Sequence, residues 1–312
     1  MKHPINDLNG QNDLNLPIDP DVLFSDHKRV FKPAIEKRQR KLLKKVEFLQ
    51  SFLWEGETIL CVTPACSPMT LLEQYLMGWL IFYIKRCLLV FTNMRILHIP
   101  TTADYSYRNS IAQMLYADCQ SVAVKGGTLV VKYANGSKEK FYYVAGQERK
   151  KVRSLLETAP LQSDQGTQQA RTHLCPRCTG ELVKDQYTCP SCGLAFKSRA
   201  EARKIALVYP GGGYFYTRHL MLGVGDAFVE AMLTFALIAS VIDSLGGSQN
   251  ADPAGVLIFG AVLALEKAVS VYDSNKFVSE YIPVEKQIAP LPVEEVAEGA
   301  DGFSTESLRA GV

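Results

Sequence analysis

The sequence predicts a multidomain α+β protein: an antiparallel β domain, a small cysteine-rich unit and an α-helical hairpin of transmembrane character, in that order. Three observations predict it. Residues 57–158 hold short runs rich in β-branched and aromatic residues, set apart by turn signals. Residues 175–192 hold two Cys-x-x-Cys pairs. Residues 205–282 hold two long apolar stretches, the most apolar part of the chain.

The totals agree with that division. At roughly 100–200 residues per domain, 312 residues imply two or three units. With 47% apolar and 21% charged residues the chain is not of disordered composition. A formal net charge of +2 gives no global case for a polyanionic partner.

Taken in order, residues 1–30 are polar, with Pro4, Pro17 and Pro20, and read as a flexible lead-in. They contain no apolar core of the kind a secretory signal needs, so a reduced, cytosol-facing location is expected. Residues 31–56 carry a basic amphipathic helix over 34–53. Leu42, Val46, Leu49 and Leu53 form its stripe, and Lys37, Arg38, Arg40, Lys41, Lys44 and Lys45 its charge. Such a helix packs on the next domain with solvated lysines, or lies on an anionic membrane surface; the first reading is the simpler, and the two are compatible.

The β domain spans 57–158. Its runs are ETILCV, RCLLVFT, MRILHI, SVAVK, TLVVKY and EKFYYV, with turns at Thr92-Asn93, Gly126-Gly127 and Asn135-Gly136. Asn-Gly accepts the positive φ of a tight hairpin. A closing helix follows from Gly146 to Ala159, with Val152, Leu155 and Leu156 on its apolar side. Many antiparallel strands and one closing helix describe a small barrel or sandwich capped by that helix. The stretch from Pro68 to Lys85, with Trp79, Phe82 and Tyr83, is an unusually apolar insertion.

The segment CLLVFTNMRILHIP resembles the strand–turn–strand of bacterial pleckstrin-homology-like domains, in which an apolar strand ends in Thr-Asn and is followed by Arg and a second apolar strand. Here these are Thr92, Asn93 and Arg95. The resemblance covers about a hundred residues and implies an interaction module, one that binds rather than turns over a substrate.

Residues 159–173 are polar and aperiodic and read as a linker. Residues 174–198 form the cysteine unit, CPRCTGELVKDQYTCPSCG. Two residues between paired cysteines let both sulfurs reach one ion from a tight turn. The ten residues between the pairs allow a hairpin that sets the second turn opposite the first. Zinc takes four tetrahedral ligands and accepts a full thiolate set in closed structural sites. Cys175, Cys178, Cys189 and Cys192 are therefore the expected ligands of one structural Zn2+ in a zinc ribbon. So small a unit needs the ion in order to fold. The alternatives are two disulfides or a dithiol redox site. Cys61, Cys66, Cys87 and Cys119 are scattered among apolar residues and read as buried small hydrophobes.

Residues 205–282 read as a membrane helical hairpin. The uncharged cores Ala231–Ile242 and Ala254–Leu265 extend to spans of sufficient length only if Asp226, Glu230, Glu266 and Lys267 lie near the ends. Arg199, Arg203, Lys204 and Arg218 precede the first span and Lys267 and Lys276 follow the second, while the connection SLGGSQNADPAG has no Lys or Arg. The positive-inside rule then puts both ends at the cytoplasm, at the inner membrane. Pro210, Gly211, Gly213, Phe215, Tyr216 and Arg218 resemble the first turn of small membrane hairpins. The glycine run lacks the Gly-Lys-Ser/Thr of a nucleotide loop and reads as a turn. Asp226 and Glu230, four apart, share a helical face and are a candidate ion or proton site, or else lie at the headgroups near Arg218 and His219. The tail, 283–312, is Pro-, Glu- and Ala-rich and is expected to be disordered.

No nucleophile elbow, His-Glu-x-x-His, Walker sequence or local Ser/His/Asp signature is present, and no catalytic residue is assigned. The five histidines, His3, His27, His98, His173 and His219, form no local ligand motif. The expected function is a non-catalytic, membrane-anchored adaptor that binds a protein partner or anionic lipid headgroups. Two alternatives remain: a soluble oligomer with the apolar helices as its core, and a nucleic-acid binder using the ribbon with Lys184, Lys197, Arg199 and Arg203. Glu181, Asp185 and Glu201 dilute that basic cluster and argue against nucleic acid.

Overall fold

The computed structural model describes residues 15–161, 169–245 and 253–285. Residues 1–14, much of the predicted linker, the connection between the apolar helices and most of the tail lie outside them. The described residues form two compact units, one ending at Leu182 and one beginning at Val183.

The first unit opens with α1 (Pro20–Leu23) and α2 (Pro33–Leu43). Strand β1 (Ile59–Cys66) is followed by an insert holding α3 (Leu71–Met77) and α4 (Ile81–Ile84). Then come β2 (Arg86–Thr92), β3 (Arg95–Pro100), β4 (Ile111–Leu115), β5 (Cys119–Lys125), β6 (Thr128–Tyr133) and β7 (Lys138–Phe141). Helix α5 (Arg149–Glu157) and a short β8 (Thr172–Leu174) end the unit. All strand pairs within the two sheets are antiparallel, ordered β1-β2-β3-β4-β8 and β5-β6-β7.

The larger sheet is covered on both faces, which explains why RCLLVFT shows no polar alternation. Cys87, Leu89 and Phe91 face Val122, Leu129, Val131 and Phe141 of the second sheet, with Val152 and Leu156 of α5 in the same cluster. Leu88 and Val90 face the other way, onto Leu23, Phe24, Leu42, Leu43, Val46 and Leu49. The expected turns close three hairpins, including one at Asn135-Gly136, where Gly136 has φ 82°.

Several expectations are corrected here. Of the barrel or sandwich expected, no closed barrel forms; β8, read from the sequence as the end of the linker and the first residue of the ribbon, pairs with β4 through Ala112–His173 and occupies its outer edge. The helix expected over 34–53 ends at Leu43 and continues as a 3-10 turn over Glu47–Phe52. Leu42, Val46 and Leu49 are buried on the sheet, so they leave no apolar stripe for a membrane surface. The lead-in is ordered from residue 15. Asp19 caps α1, and Ile18 runs parallel to Ile59 at the edge of β1.

That edge is protected along its length. Pro17 accepts from the Ile59 N–H at 2.9 Å. The Gln39 side-chain amide accepts from the Val62 N–H at 3.0 Å and donates to the Val62 carbonyl at 2.9 Å, as a neighbouring strand would. Cys66 exchanges two backbone bonds with Tyr142. No long row of open donors is left for another chain to pair with.

The second unit holds α6 (Arg199–Val208), α7 (Gly212–Tyr216), α8 (Leu220–Leu245) and α9 (Pro253–Val278). The last two have 26 residues each, about 39 Å of helix against about 30 Å of bilayer hydrocarbon. Both are long and apolar enough to cross a membrane, and only 6% of each apolar window is buried. The glycine run is a packing corner. A Cβ on Gly211, at φ 65°, would sit 2.1 Å from the Gly223 carbonyl oxygen, and one on Gly213 would sit 2.0 Å from Ser274 Oγ. Residues 283–285, expected to begin a disordered tail, are held. Val284 donates to the Ala195 carbonyl at 3.0 Å, and Arg218 Nη2 donates to the carbonyls of Pro283, Val284 and Glu285.

Candidate metal centre

Two turns of matching construction present the four cysteines. In the first, the Cys175 N–H donates to the Gly180 carbonyl at 2.8 Å and Thr179 N–H donates to the Cys175 carbonyl at 2.9 Å. In the second, Cys189 N–H donates to the Leu194 carbonyl at 2.9 Å and Gly193 N–H to the Cys189 carbonyl at 3.0 Å. The residue after each second cysteine is left-handed, Thr179 at φ 61° and Gly193 at φ 69°. Glycine takes that conformation freely; a β-branched threonine does so at a cost and only where its surroundings impose it. Short bridges flank the turns, Leu174 with Glu181 and Thr188 with Ala195.

The four sulfurs converge within 3.5–3.7 Å, a group that could hold a metal ion. Cys175, Cys178 and Cys189 are buried and Cys192 is partly so. The full set of predicted ligands is thus brought to one point.

The four scattered cysteines are all buried. Burial pushes the thiols of Cys61 and Cys119 up to about 12 and that of Cys66 up as well, so they stay protonated and unreactive at neutral pH.

Sequence reasoning missed what the Thr92-Asn93-x-Arg95 motif does. Arg95 is buried and its Nε and Nη2 reach the two oxygens of the Glu57 carboxylate at 3.0 and 2.8 Å. Thr92 Oγ1 donates to Glu57 at 2.8 Å and receives the Arg95 N–H at 3.0 Å. Asn93 receives the Thr58 N–H at 2.9 Å and donates to the Gly56 carbonyl at 3.0 Å. The motif ties the β2–β3 turn to the start of β1. Gln113 adds a link, bonding Arg95 on one side and Glu181 at 2.6 Å on the other. Glu57 and Gln113 lie far from the motif in sequence, and no local pattern marks them.

Arg218 bonds the carbonyls of residues 283–285, and Asp226 and Glu230 lie on α8. Their carboxylates cluster within 4.8 Å with that of Glu266. Glu230 is buried and pairs with Lys267 at 2.6 Å. Lys267 also donates to the Ala206 carbonyl at 2.9 Å, and Ser270 donates to Asp226 at 3.3 Å. Near the cysteines, Arg199 pairs with Asp185 at 2.8 Å, Arg203 donates to Asn275 at 3.2 Å, and Lys197 bonds the Tyr216 carbonyl.

A buried Ser–His contact links Ser67 Oγ to His98 Nε2 at 2.8 Å. Arg171 reaches Nδ1 at 2.9 Å, and since arginine only donates, Nδ1 accepts. A triad base instead has its Nδ1–H directed at a carboxylate.

Compared with protein families, with curated proteins and with solved structures, the chain finds no match in any of the three.

Proposed function

We propose that this protein is a non-catalytic adaptor anchored in the inner membrane by α8 and α9. Its β unit and a structural zinc ribbon face the cytoplasm, where they bind a protein partner or lipid headgroups. The observation that carries the reading is the bare apolar surface of α8 and α9. Phe228, Met232, Phe235, Ile238, Ile242, Leu257, Ile258 and Leu265 are exposed, and a soluble monomer rarely shows so large a contiguous apolar area to water. The carboxylates that interrupt the helices support it. Glu230 is buried against Lys267, as an ion pair within a bundle must be if it is to enter lipid. The basic residues before α8 and after α9 favour cytoplasmic ends.

Two further points support the parts. Four thiolates around tetrahedral zinc at about 2.3 Å would stand about 3.8 Å apart, close to the observed spacing. With all four positions filled by sulfur the ion has no open site, so its role is structural. Four strands in one sheet, three in a second and a helix packed on both are consistent with the pleckstrin-homology-like reading, to which β8 and the N-terminal helices are additions. The pairing of Arg199 and Arg203 within the second unit weakens the nucleic-acid alternative.

Fractionation tests the anchor. The protein should stay with membranes through a high-salt wash and need detergent for release; recovery in the soluble fraction sinks the reading. Metal analysis of the purified chain should find one zinc per chain. Affinity capture from detergent extracts of native membranes then identifies the partner.

A further inference from the structure

The insert between β1 and β2, PMTLLEQYLMGWLIFYIK over residues 68–85, contains two charged residues. Both are withdrawn from the surface. Glu73 is 2% exposed and pairs with the buried Lys85 at 3.2 Å. Glu73 also closes a capping box with Thr70 at the start of α3. The insert's exposed surface is left without charge. Leu71, Leu72 and Tyr83 are exposed on it, Tyr75 is 86% exposed and Trp79 71%. Scattered exposed apolar residues are ordinary on a protein surface; five on one short insert whose only charges are hidden are not. Beneath it lies a cavity of about 450 Å³, walled by Trp79, Phe82, Tyr83 and Tyr105. Arg86 is the one charged residue lining it, its guanidinium 4.6 Å from the centre of the Tyr83 ring.

We propose that this insert is a membrane-contact element: Leu71, Leu72, Tyr75 and Trp79 enter the interface of an anionic phospholipid bilayer, and Arg86 receives a lipid phosphate. The inference rests on the membrane-anchored reading, which supplies the bilayer. Tethering by the hairpin raises the local concentration of lipid, so a contact too weak to recruit a free protein still forms. The residue types fit that occupant. Tryptophan and tyrosine collect at the headgroup level, where one end of the ring system is apolar and the other is wet. Hiding Glu73 and Lys85 removes the groups most costly to bring to that boundary. The Arg86 guanidinium, set among aromatic rings and donating to the Ala103 carbonyl through Nη1, leaves its other nitrogens for an anionic headgroup, and no carboxylate lines the cavity to oppose it.

The chain has two tryptophans, Trp54 and Trp79, so Trp54→Phe makes Trp79 the sole reporter. The full-length variant is reconstituted into vesicles of phosphatidylcholine and phosphatidylglycerol, with and without bromine on the acyl chains. Co-flotation, blue-shifted Trp79 emission, quenching by brominated lipid and protection from aqueous acrylamide are expected. Adding Leu72→Glu should reverse the quenching. Replacing phosphatidylglycerol by phosphatidylcholine should weaken it, and inorganic phosphate without vesicles should leave the emission unchanged. Protein that floats while Trp79 ignores bromine and is quenched by acrylamide overturns the inference and leaves the anchored reading standing. Trp79 shielded from both quenchers reports a protein on this face and also overturns it. Failure to float overturns the anchored reading itself. If Trp54→Phe does not fold, the difference between the wild type and Trp79→Phe yields the same signal.

Discussion

The β unit and the helical unit are both rich in large apolar side chains, and they use them in opposite ways. In the first unit Phe91 is 0% exposed, set between two sheets; in the second Phe235 is 72% exposed on α8. The β unit carries its own solvent-excluding environment. The helical unit leaves α8 and α9 bare, and on the reading proposed above lipid supplies that environment from outside. A segment whose apolar surface is left bare does not complete its own core, and the missing component points to where the protein works.

The comparison can be broken most forcefully at the cysteines. Cys178→Ser or Cys189→Ser should abolish the zinc binding proposed above, which stabilises such units by about 10–16 kcal/mol. Limited proteolysis should then cut within 175–196, while the thermal transition of the β unit moves little. An unchanged digestion pattern would show that this segment folds without an ion.

Next in size is the buried pair of the β unit. Glu57→Gln strands the Arg95 guanidinium away from water and should cost about 3–5 kcal/mol in denaturant unfolding. Phe91→Ala should cost a similar amount, about 3–5 kcal/mol, whereas Phe235→Ala in detergent should cost less than about 0.5 kcal/mol. Equal losses at the two phenylalanines would erase the distinction between the units.

Within the metal turns, Thr179→Gly relieves a left-handed β-branched residue and should raise the ribbon's stability by about 1 kcal/mol, read by resistance to chelator. The smallest effect is expected at the insert. Burial pushes the Glu73 carboxyl up, but the Lys85 charge and the Thr70 N–H outweigh it and hold the group below its ordinary value. A carboxyl depressed in the folded state contributes stability above its unfolded pKa and loses it as pH falls through the folded value. Acidification should therefore loosen α3, read by hydrogen exchange over residues 70–77, before the sheets respond.

Much of the fold was legible because its signals are local. RCLLVFT, TLVVKY and Asn135-Gly136 mark strands and a hairpin within a few residues of themselves. The spacing of Cys175, Cys178, Cys189 and Cys192 marks a common site in the same way. The failures were at positions whose role depends on distant partners. Thr172–Leu174 is polar and short, and becomes a strand only because β4 offers it an edge. Leu16 and Leu23 look like part of a polar lead-in until the second face of the sheet is there to cover them. Glu57 is one acidic residue among many until the fold puts Arg95 beside it.

The sequence by itself determined the succession of parts, the grouping of the four cysteines and the excess of apolar surface in the last third of the chain. These follow from period, spacing and composition, all of them properties of neighbouring residues. Only the tertiary structure decided that the sheets stay open, that the basic N-terminal segment spends its apolar stripe on protein, and that Glu230 meets Lys267. It also decided that the Pro68–Lys85 insert hides both of its charges. Each of these pairs groups far apart in sequence, and their burial or exposure depends on the cost of desolvating polar groups against the gain of covering apolar ones, which is settled only once the chain has folded.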